Sequence, residues 1–259
     1  MQLIDSHCHL DFPVFDKDRE VLLAHCRQLG IREYIIPAIA EDNWERVMAL
    51  AGQHADIFYG LGIHPWYAGA QQKGVMERLR MLVARRPTGL VAIGECGLDL
   101  RSHVPQEGQL ELFEAQIRLA CEYELPLIVH SVRANDTVAK LLRRFKPARG
   151  GVIHAFSGSR QQADTFWQMG FRLGVGGVIS YERANKTREA FRDMPLSSLL
   201  LETDAPDMPL QGEQGQRNTP ASLVKIVTTL ASIREEGMVD VAMVLHESAL
   251  ELFHPERQC

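Results

Sequence analysis

The sequence predicts an α/β protein that forms a TIM-like (β/α)8 barrel, regular or distorted, with extra helices at its C-terminal end. Short apolar runs alternate with longer amphipathic stretches along almost the whole chain, as is typical of parallel strands connected by helices. The chain has 259 residues, which is the usual size of one such barrel. No linker or short-period repeat divides it, so we expect residues 1–259 to form a single domain.

Eight apolar runs are predicted to be the strands of this barrel. Short continuous apolar runs fit the strands of a parallel sheet, because such a sheet is covered on both faces. The predicted strands are residues 3–6, 34–37, 57–63, 90–94, 127–129, 151–153, 171–178 and 199–203.

The stretches between these runs are predicted to be helices that cover the outside of the barrel. In residues 109–123, Leu112, Ala115 and Leu119 recur at helical spacing. The segment 220–253 is predicted to form two further helices beyond the eighth strand. A doubly wound sheet is the alternative fold, but no GxGxxG motif follows the first strand. The other predicted helices are residues 19–29, 44–51, 75–85, 137–145 and 160–169.

Composition excludes several classes of protein. A net charge of −5 disfavours a broad basic surface of the kind that binds nucleic acid non-specifically, although a local basic site remains compatible with it. The five cysteines are odd in number and lack CxxC spacing, which favours a reduced setting over a disulfide framework. No secretory signal and no apolar run of membrane-spanning length is present. We therefore expect a cytoplasmic protein without membrane association or an obligate protein partner.

Histidine and carboxylate side chains recur where the predicted strands end. All strands of a parallel barrel end on the same face, where enzymes of this architecture place their chemistry, so side chains from distant parts of the sequence would converge on one pocket. These residues are His7 and His9 after strand 1, His64 after strand 3, Glu95 after strand 4, His130 after strand 5, His154 after strand 6 and Asp204 after strand 8.

Each of these residues also has a structural interpretation when it is taken alone. A single histidine at a strand end is more often a hydrogen-bonded packing residue than a ligand. Glu95 alone could cap a turn, and Asp204 alone could cap a helix. All these interpretations would have to hold independently to explain the whole set, so the recurrence favours a shared site. The histidines without a strand-end position, which we expect to be structural or on the surface, are His25, His54, His103, His246 and His254.

The motifs DSHCHLD, GIHPW, GECGLD, HS, HAFSG and ETDAP, in this order, resemble those of the TatD family of metal-dependent hydrolases and nucleases, within the amidohydrolase superfamily. The resemblance spans nearly the whole chain and implies a TIM-like barrel that binds two divalent metal ions. By this resemblance, Glu95 bridges the two ions. One ion would be held by His7, His9, Glu95 and Asp204, and the other by Glu95, His130 and His154.

The sequence departs from the family pattern at three positions, which affects the expected substrate contacts and no metal ligand. Many similar sequences carry an arginine two residues after the strand-5 histidine, where this chain has Val132 followed by Arg133. Many have a second histidine after the GxHP motif, where this chain has Trp66. A common asparagine near the C-terminus corresponds to Ser248.

The ligand types also indicate a chemistry. Imidazole and carboxylate groups accept Zn²⁺ or Mn²⁺ and tolerate Mg²⁺ less well. A carboxylate such as Glu95 can bridge two ions, because each of its oxygens can coordinate one ion. Two divalent ions, two carboxylates and a hydroxide leave a net charge of about +1, which suits a phosphodiester anion. We therefore predict Glu95 and Asp204 as catalytic residues, with Asp204 as general base.

Several loop residues are predicted to contact the substrate on the same face. His64, Arg133, Arg183 and Lys186 follow predicted strand ends, as do Arg101 and Arg160. For any one of these cations, a solvated loop charge is nearly as good an explanation. Trp66 and Tyr181 could stack on a base, although packing is the commoner role. Asp5, Asp11 and Asp99 could orient ligating histidines through hydrogen bonds, and Cys8 and Cys96 are expected to pack in the core.

Three functions remain open at this point. The leading one is a metal-dependent phosphodiesterase, specifically a deoxyribonuclease acting on DNA ends or short strands with two Zn²⁺, Mn²⁺ or Mg²⁺ ions. The second is a hydrolase that uses the same metal ions to cleave an ester or amide bond, as in a deacylase acting on aminoacyl-tRNA. The third, from another class, is a metal-binding interaction module without catalysis.

Overall fold

A computed structural model describes residues 1–69 and 74–254, and its strands form one parallel sheet of eight strands in sequential order. Each strand pairs with the next in parallel register, from the first pair to the last. The strands are β1 (Leu3–Asp5), β2 (Ile31–Pro37), β3 (Ile57–Leu61), β4 (Leu90–Asp99), β5 (Leu127–Val132), β6 (Gly151–Ile153), β7 (Phe171–Val175) and β8 (Leu199–Leu201).

The sheet closes between its last and first strands, which completes the barrel. The backbone N–H of Ser6 donates to Leu201 O over 2.9 Å. At the end of β1, the buried carboxylate of Asp5 accepts hydrogen bonds from the N–H and hydroxyl of Thr203 at 3.0 and 2.6 Å. The register shifts in the β1–β2, β3–β4 and β4–β5 pairs. The prediction of a TIM-like (β/α)8 barrel is confirmed, in a distorted form.

Helices follow the strands around the outside of the barrel. The segment between β7 and β8 contains a helix that the sequence did not predict. Its buried residues are Thr187, Ala190 and Phe191, which form too weak an apolar pattern to indicate a helix. No described helix is long and apolar enough to cross a membrane. The helices are α1 (Arg19–Gln28), α2 (Glu41–Gln53), α3 (Val75–Ala84), α4 (Gln106–Tyr123), α5 (Asn135–Phe145), α6 (Arg160–Trp167), α7 (Asn185–Asp193), α8 (Leu223–Arg234) and α9 (Met238–Phe253).

The C-terminal helix α9 closes one end of the barrel. Its residues Ala249, Leu252 and Phe253 pack against side chains inside the barrel, such as Ile4 and Leu200. The helix also contacts the short turn that precedes β8, which places it at the end where the strands begin. Because apolar packing fills that end, the polar residues of the barrel interior collect at the opposite end, where the strands finish.

Strand β4 runs five residues further than the sequence predicted, to Asp99, so that Glu95 lies inside the strand. A glycine permits this continuation beside β5. Gly97 has φ of +139°, and a Cβ there would lie 2.0 Å from His130 O. Only glycine allows this close approach of the two backbones. The result is that β4 and β5 bring Glu95 and His130 together.

The segment that precedes His64 is anchored to α4 by a buried amide. Ile63 N–H donates to Gln116 Oε1 over 2.8 Å, and Gln116 Nε2 donates to Ile63 O over 3.0 Å. Both backbone groups of Ile63 are thus satisfied by one side chain 53 residues away. This contact fixes the path of the chain from β3 into the loop that carries His64.

Replacing Gln116 with methionine should destabilise the protein while keeping a similar side-chain volume. The substitution leaves the buried N–H and C=O of Ile63 unpaired, so we expect the free energy of unfolding to fall by about 2–4 kcal/mol. Urea denaturation followed by circular dichroism measures this change. The control is Glu111→Ala at an exposed position of the same helix, which should stay within about 0.5 kcal/mol of wild type. Equal stability of both variants would contradict this role for Gln116.

Candidate metal centre

Glu95 lies at the centre of a cluster of histidines at the carboxyl ends of the strands. Its side chain projects from β4 and is only 2% exposed. The two carboxylate oxygens face different partners. Oε2 is 3.3 Å from His7 Nε2, whereas Oε1 is 2.9 Å from His154 Nε2. The carboxylate therefore divides the cluster into two sets of donor atoms.

The first set lies around Oε2 and draws on the first and last strands. His9 Nε2 is 3.7 Å from Glu95 Oε2. Asp204 Oδ1 lies 3.4 Å from His7 Nε2 and 3.6 Å from His9 Nε2. His7 and His9 both face Glu95 and Asp204, whereas Cys8 between them is buried in the hydrophobic core. These four side chains are the ones that the sequence assigned to one metal ion.

The second set lies around Oε1 and draws on the middle strands. His130 Nδ1 is 2.9 Å from Glu95 Oε1 and 3.0 Å from His154 Nε2. His64 Nε2 also approaches this oxygen, at 3.4 Å. The set thus contains the predicted ligands His130 and His154, together with His64, which the sequence assigned to substrate binding.

Asp204 is held in place by its backbone. Its φ of +57° lies in the left-handed region, which aspartate tolerates better than most residues. Its N–H donates to His7 O over 2.8 Å and ties the end of β8 to β1. The carboxylate is 16% exposed, more than that of Glu95, so it is accessible from the opening of the barrel.

Burial and charge determine the protonation of the cluster. Burial lowers the pKa of His7 to about 4 and that of His64 to about 3. Burial also acts to lower the pKa values of His9 and His130, but the carboxylates beside them outweigh it and raise both to about 9. Burial acts to raise the pKa of Glu95, and the surrounding histidines hold it well below its usual range. Glu95 is therefore ionised within a ring of cationic and neutral imidazoles.

The donor atoms of this cluster fit divalent cations. His7 Nε2 is buried and has no hydrogen-bond partner among the described residues, although it faces two carboxylates. Imidazole nitrogens with carboxylate oxygens are suitable ligands for ions such as Zn²⁺ and Mn²⁺. Three groups of side chains each bring three donor atoms within 4.8 Å of one another. They are His7, His9 and Glu95; His7, His154 and Glu202; and His64, Glu95 and His130.

The tautomer of His64 follows from its contact with the next turn. Its Nδ1 accepts a hydrogen bond from the backbone N–H of Trp66 over 3.2 Å. A neutral imidazole that accepts at Nδ1 carries its proton on Nε2. The Nε2–H of His64 therefore points at Glu95 Oε1 as a donor, a geometry that suits hydrogen bonding better than metal coordination.

Glu202 belongs to the cluster and was missed by the sequence analysis. It is fully buried, accepts a hydrogen bond from the backbone N–H of Ala155, and lies close to His7 and His154. Space for its carboxyl group comes from Gly174, where a Cβ would lie 2.2 Å from Glu202 Oε2. The available signal was an acidic residue that directly continues the apolar run of the eighth strand.

Only one of the three aspartates predicted to orient histidines contacts a histidine ring. Asp99 Oδ2 is 3.4 Å from His130 Nε2, and it accepts a hydrogen bond from Trp66 Nε1 over 2.7 Å. Asp5 instead joins β1 to Thr203, and burial raises its pKa to about 7. Asp11 accepts a hydrogen bond from Asn43 over 3.0 Å.

A cavity of about 740 Å³ opens from the cluster to the surface. His130 and Asp204 line its inner part, and Trp66, Arg101 and Met208 are among the residues of its mouth. Its described lining includes none of the other predicted cations. Arg133 is exposed, and the guanidinium of Arg183 lies 5.2 Å from the centre of the Tyr181 ring. Lys186 lines a separate polar cavity with Ser157 and Gln162. Arg160 donates hydrogen bonds to the Asp164 carboxylate and to Asp193 O.

Comparison with known proteins agrees with the motifs of the sequence. The family described as TatD related DNase matches residues 4–254. The Escherichia coli K12 protein named as the uncharacterized metal-dependent hydrolase YjjV is 44% identical over 254 residues, covering 98% of each chain. A Pantoea protein named as the 3′-5′ ssDNA/RNA exonuclease TatD is 32% identical over 260 residues, covering 97% of this chain and 99% of the other.

Solved structures agree with this family assignment. The crystal structure of Escherichia coli YjjV matches with a TM-score of 0.94 at 44% identity, over 97% of both chains. A TatD family hydrolase from Entamoeba histolytica, 20% identical, matches with a TM-score of 0.89 over 98% of this chain and 99% of the other, which shows the shared fold. On the family match and these identities, the chain belongs to the TatD-related DNase family.

Proposed function

We propose that this protein is a metal-dependent phosphodiesterase that hydrolyses single-stranded nucleic acid, DNA ends or short strands in particular, with two divalent ions. The observation that carries the proposal is the division of the Glu95 carboxylate between two sets of donor atoms. A carboxylate that faces nitrogens on both sides can bridge a pair of cations, as in many binuclear hydrolases.

The residues divide between the two ions as follows. His7, His9 and Asp204 would hold one ion with Glu95 Oε2, and His130 and His154 would hold the other with Oε1. The donor set is compatible with Zn²⁺, Mn²⁺ or Mg²⁺. The charge of two such ions would exceed that of the two carboxylates and leave the pocket positive, which favours a phosphodiester anion.

When bound, the ions would lower the pKa of a water molecule and stabilise negative charge on the phosphate. Asp204 would accept a proton from the attacking water, because its carboxylate is the most exposed group of the first set, at 16%. The Nε2–H of His64 donates to Glu95 Oε1 and orients this carboxylate between the two sets of donor atoms. Asp99 holds the His130 ring in the orientation required for the second set.

The depth of the cluster favours single strands over duplexes. Glu95 and His7 are buried beneath the mouth of the cavity, so the scissile phosphate has to enter the barrel. A single-stranded end can bend into this opening, whereas a paired duplex is stiff and broad. The name of the 32% identical Pantoea relative points to the same substrate class. The free thiols of Cys8, Cys26 and Cys96 suit the reducing cytoplasm, where we expect the protein to act.

Substitution of Glu95, the proposed bridging ligand, and of Asp204, the proposed general base, should separate metal binding from proton transfer. We expect Glu95→Ala to lower bound metal to one ion or fewer per chain, because both sets lose an oxygen ligand. We expect Asp204→Asn to keep more of its metal and to hydrolyse single-stranded DNA about 100-fold or more slowly, because an amide cannot accept the proton. Elemental analysis by mass spectrometry and a gel-based nuclease assay measure the two effects.

The exposed Glu111→Ala variant serves as the control for this pair and should retain metal and activity. Full metal content and activity in both site variants would refute the site. Wild type should be tested on single-stranded DNA, duplex DNA, RNA and aminoacyl esters with Mn²⁺, Mg²⁺ or Zn²⁺. Cleavage of esters alone would favour a deacylase, and a metal-replete protein inactive on every substrate would favour an interaction module.

The predicted cations outside the cavity lining give a second test. We propose that Arg183 and Lys186, both exposed, contact phosphates of the strand as it leaves the mouth. Arg183→Ala with Lys186→Ala should then weaken binding of a hexanucleotide, and the salt dependence of log K should lose about 0.7 per phosphate contact removed. Fluorescence anisotropy in the Asp204→Asn background measures affinity without turnover.

The matched control for this double variant is Lys140→Ala with Arg143→Ala. Both residues are exposed on α5, which runs away from the carboxyl ends of the strands. The control should bind the hexanucleotide with the same affinity and salt dependence as the protein that carries Asp204→Asn alone. An unchanged affinity and salt slope in the Arg183 and Lys186 variant would show that these two are solvated surface charges.

A further inference from the structure

Trp66 is exposed at the mouth of the metal cavity. Its side chain is 58% exposed, more than that of most large apolar residues of the described chain. It belongs to the short 3₁₀ turn Pro65–Tyr67 that directly follows His64. A tryptophan in this position is not a core residue, so of the core or rim packing expected from the sequence only rim packing, against His64 and His130, fits it.

The indole of Trp66 is nevertheless held in a fixed orientation. Its Nε1–H donates to Asp99 Oδ2 over 2.7 Å, and its backbone N–H donates to His64 Nδ1. The ring stands at 84° to the His64 ring, with centroids 4.9 Å apart. A side chain fixed before binding loses little conformational entropy when a ligand packs against it. The ring therefore has the properties of a preorganised contact surface.

This surface lies in the same cavity as the metal cluster. Trp66, Asp99, His130 and Asp204 all line it, so a ligand whose phosphate lies at the cluster extends past the indole. Met208, 39% exposed, adds apolar surface to the same mouth. Polar groups at the inner end and an aromatic face at the outer end match a molecule that joins an anion to a flat ring.

We propose that Trp66 is the stacking platform for the nucleobase of the nucleotide whose phosphate is held at the metal cluster. The proposal rests on the proposed function and deepens it, since it gives the site a subsite for the base. Stacking on an aromatic side chain accepts every base, because each base has a π-face. The site would therefore distinguish nucleotides from other phosphate esters without selecting a particular sequence.

The test compares two ligands that differ only in the base. Isothermal titration calorimetry of the metal-loaded protein measures the binding of thymidine 5′-monophosphate and of 2-deoxyribose 5-phosphate. We expect wild type to bind the nucleotide about tenfold or more tightly than the sugar phosphate. Trp66→Leu should bind both ligands equally, because leucine keeps apolar surface and has no π-face. Trp66→Phe, which keeps a π-face and loses the bond to Asp99, should retain most of the preference.

The two variants distinguish stacking from a structural role. If Trp66 acted only by orienting Asp99 and His130, both variants would lose that bond and both ligands would weaken to the same extent. That outcome would overturn the proposal, as would a preference for the nucleotide that survives in Trp66→Leu. The titration requires no turnover, so it is independent of the phosphodiesterase assay. A nucleotide preference that depends on Trp66 in a protein inactive on phosphodiesters would support stacking and refute the proposed function.

Discussion

The carboxylate of Glu95 is buried inside the barrel, and its negative charge requires compensation from every side. Removing an ion from water costs on the order of several kcal/mol unless partners replace the lost solvation. Histidines from four different strand ends surround Glu95, and their charge holds its pKa well below the usual range. The same convergence gives the cluster donor groups that could hold a metal ion, and divalent ions and protons would compete for these nitrogens.

The position of this charge depends on how the barrel closes. Asp204 N–H bonds to His7 O, and Thr203 bonds to the buried Asp5, so the last strand is joined to the first beside the cluster. At the opposite end α9 fills the interior with apolar side chains such as Phe253. Because α9 closes the other end, the cluster lies at the end that remains open, and its position depends on how the barrel closes.

The fold and the clustered histidines could be predicted because parallel strands bring their ends together whatever their separation in sequence. Glu202 could not, since its burial depends on the space left by Gly174 on the neighbouring strand. The length of β4 was missed because GECGLD has the composition of a loop, and its glycines serve close backbone contact instead. The contact between Trp66 and Asp99 joins the turn after β3 to the end of β4, and apolar periodicity carries no information about the path of that turn.

The loop cations show why the position of a loop side chain is harder to predict than that of a strand side chain. A strand fixes the direction of its side chains, whereas directly after β5 the chain has turned. Arg133 has φ of +53° and is exposed, although it follows His130 closely in sequence. The mouth is formed instead by side chains such as Trp66 and Met208, which project from different loops. Changes in these loops can therefore alter which substrate enters, while the strands keep the candidate metal ligands in place.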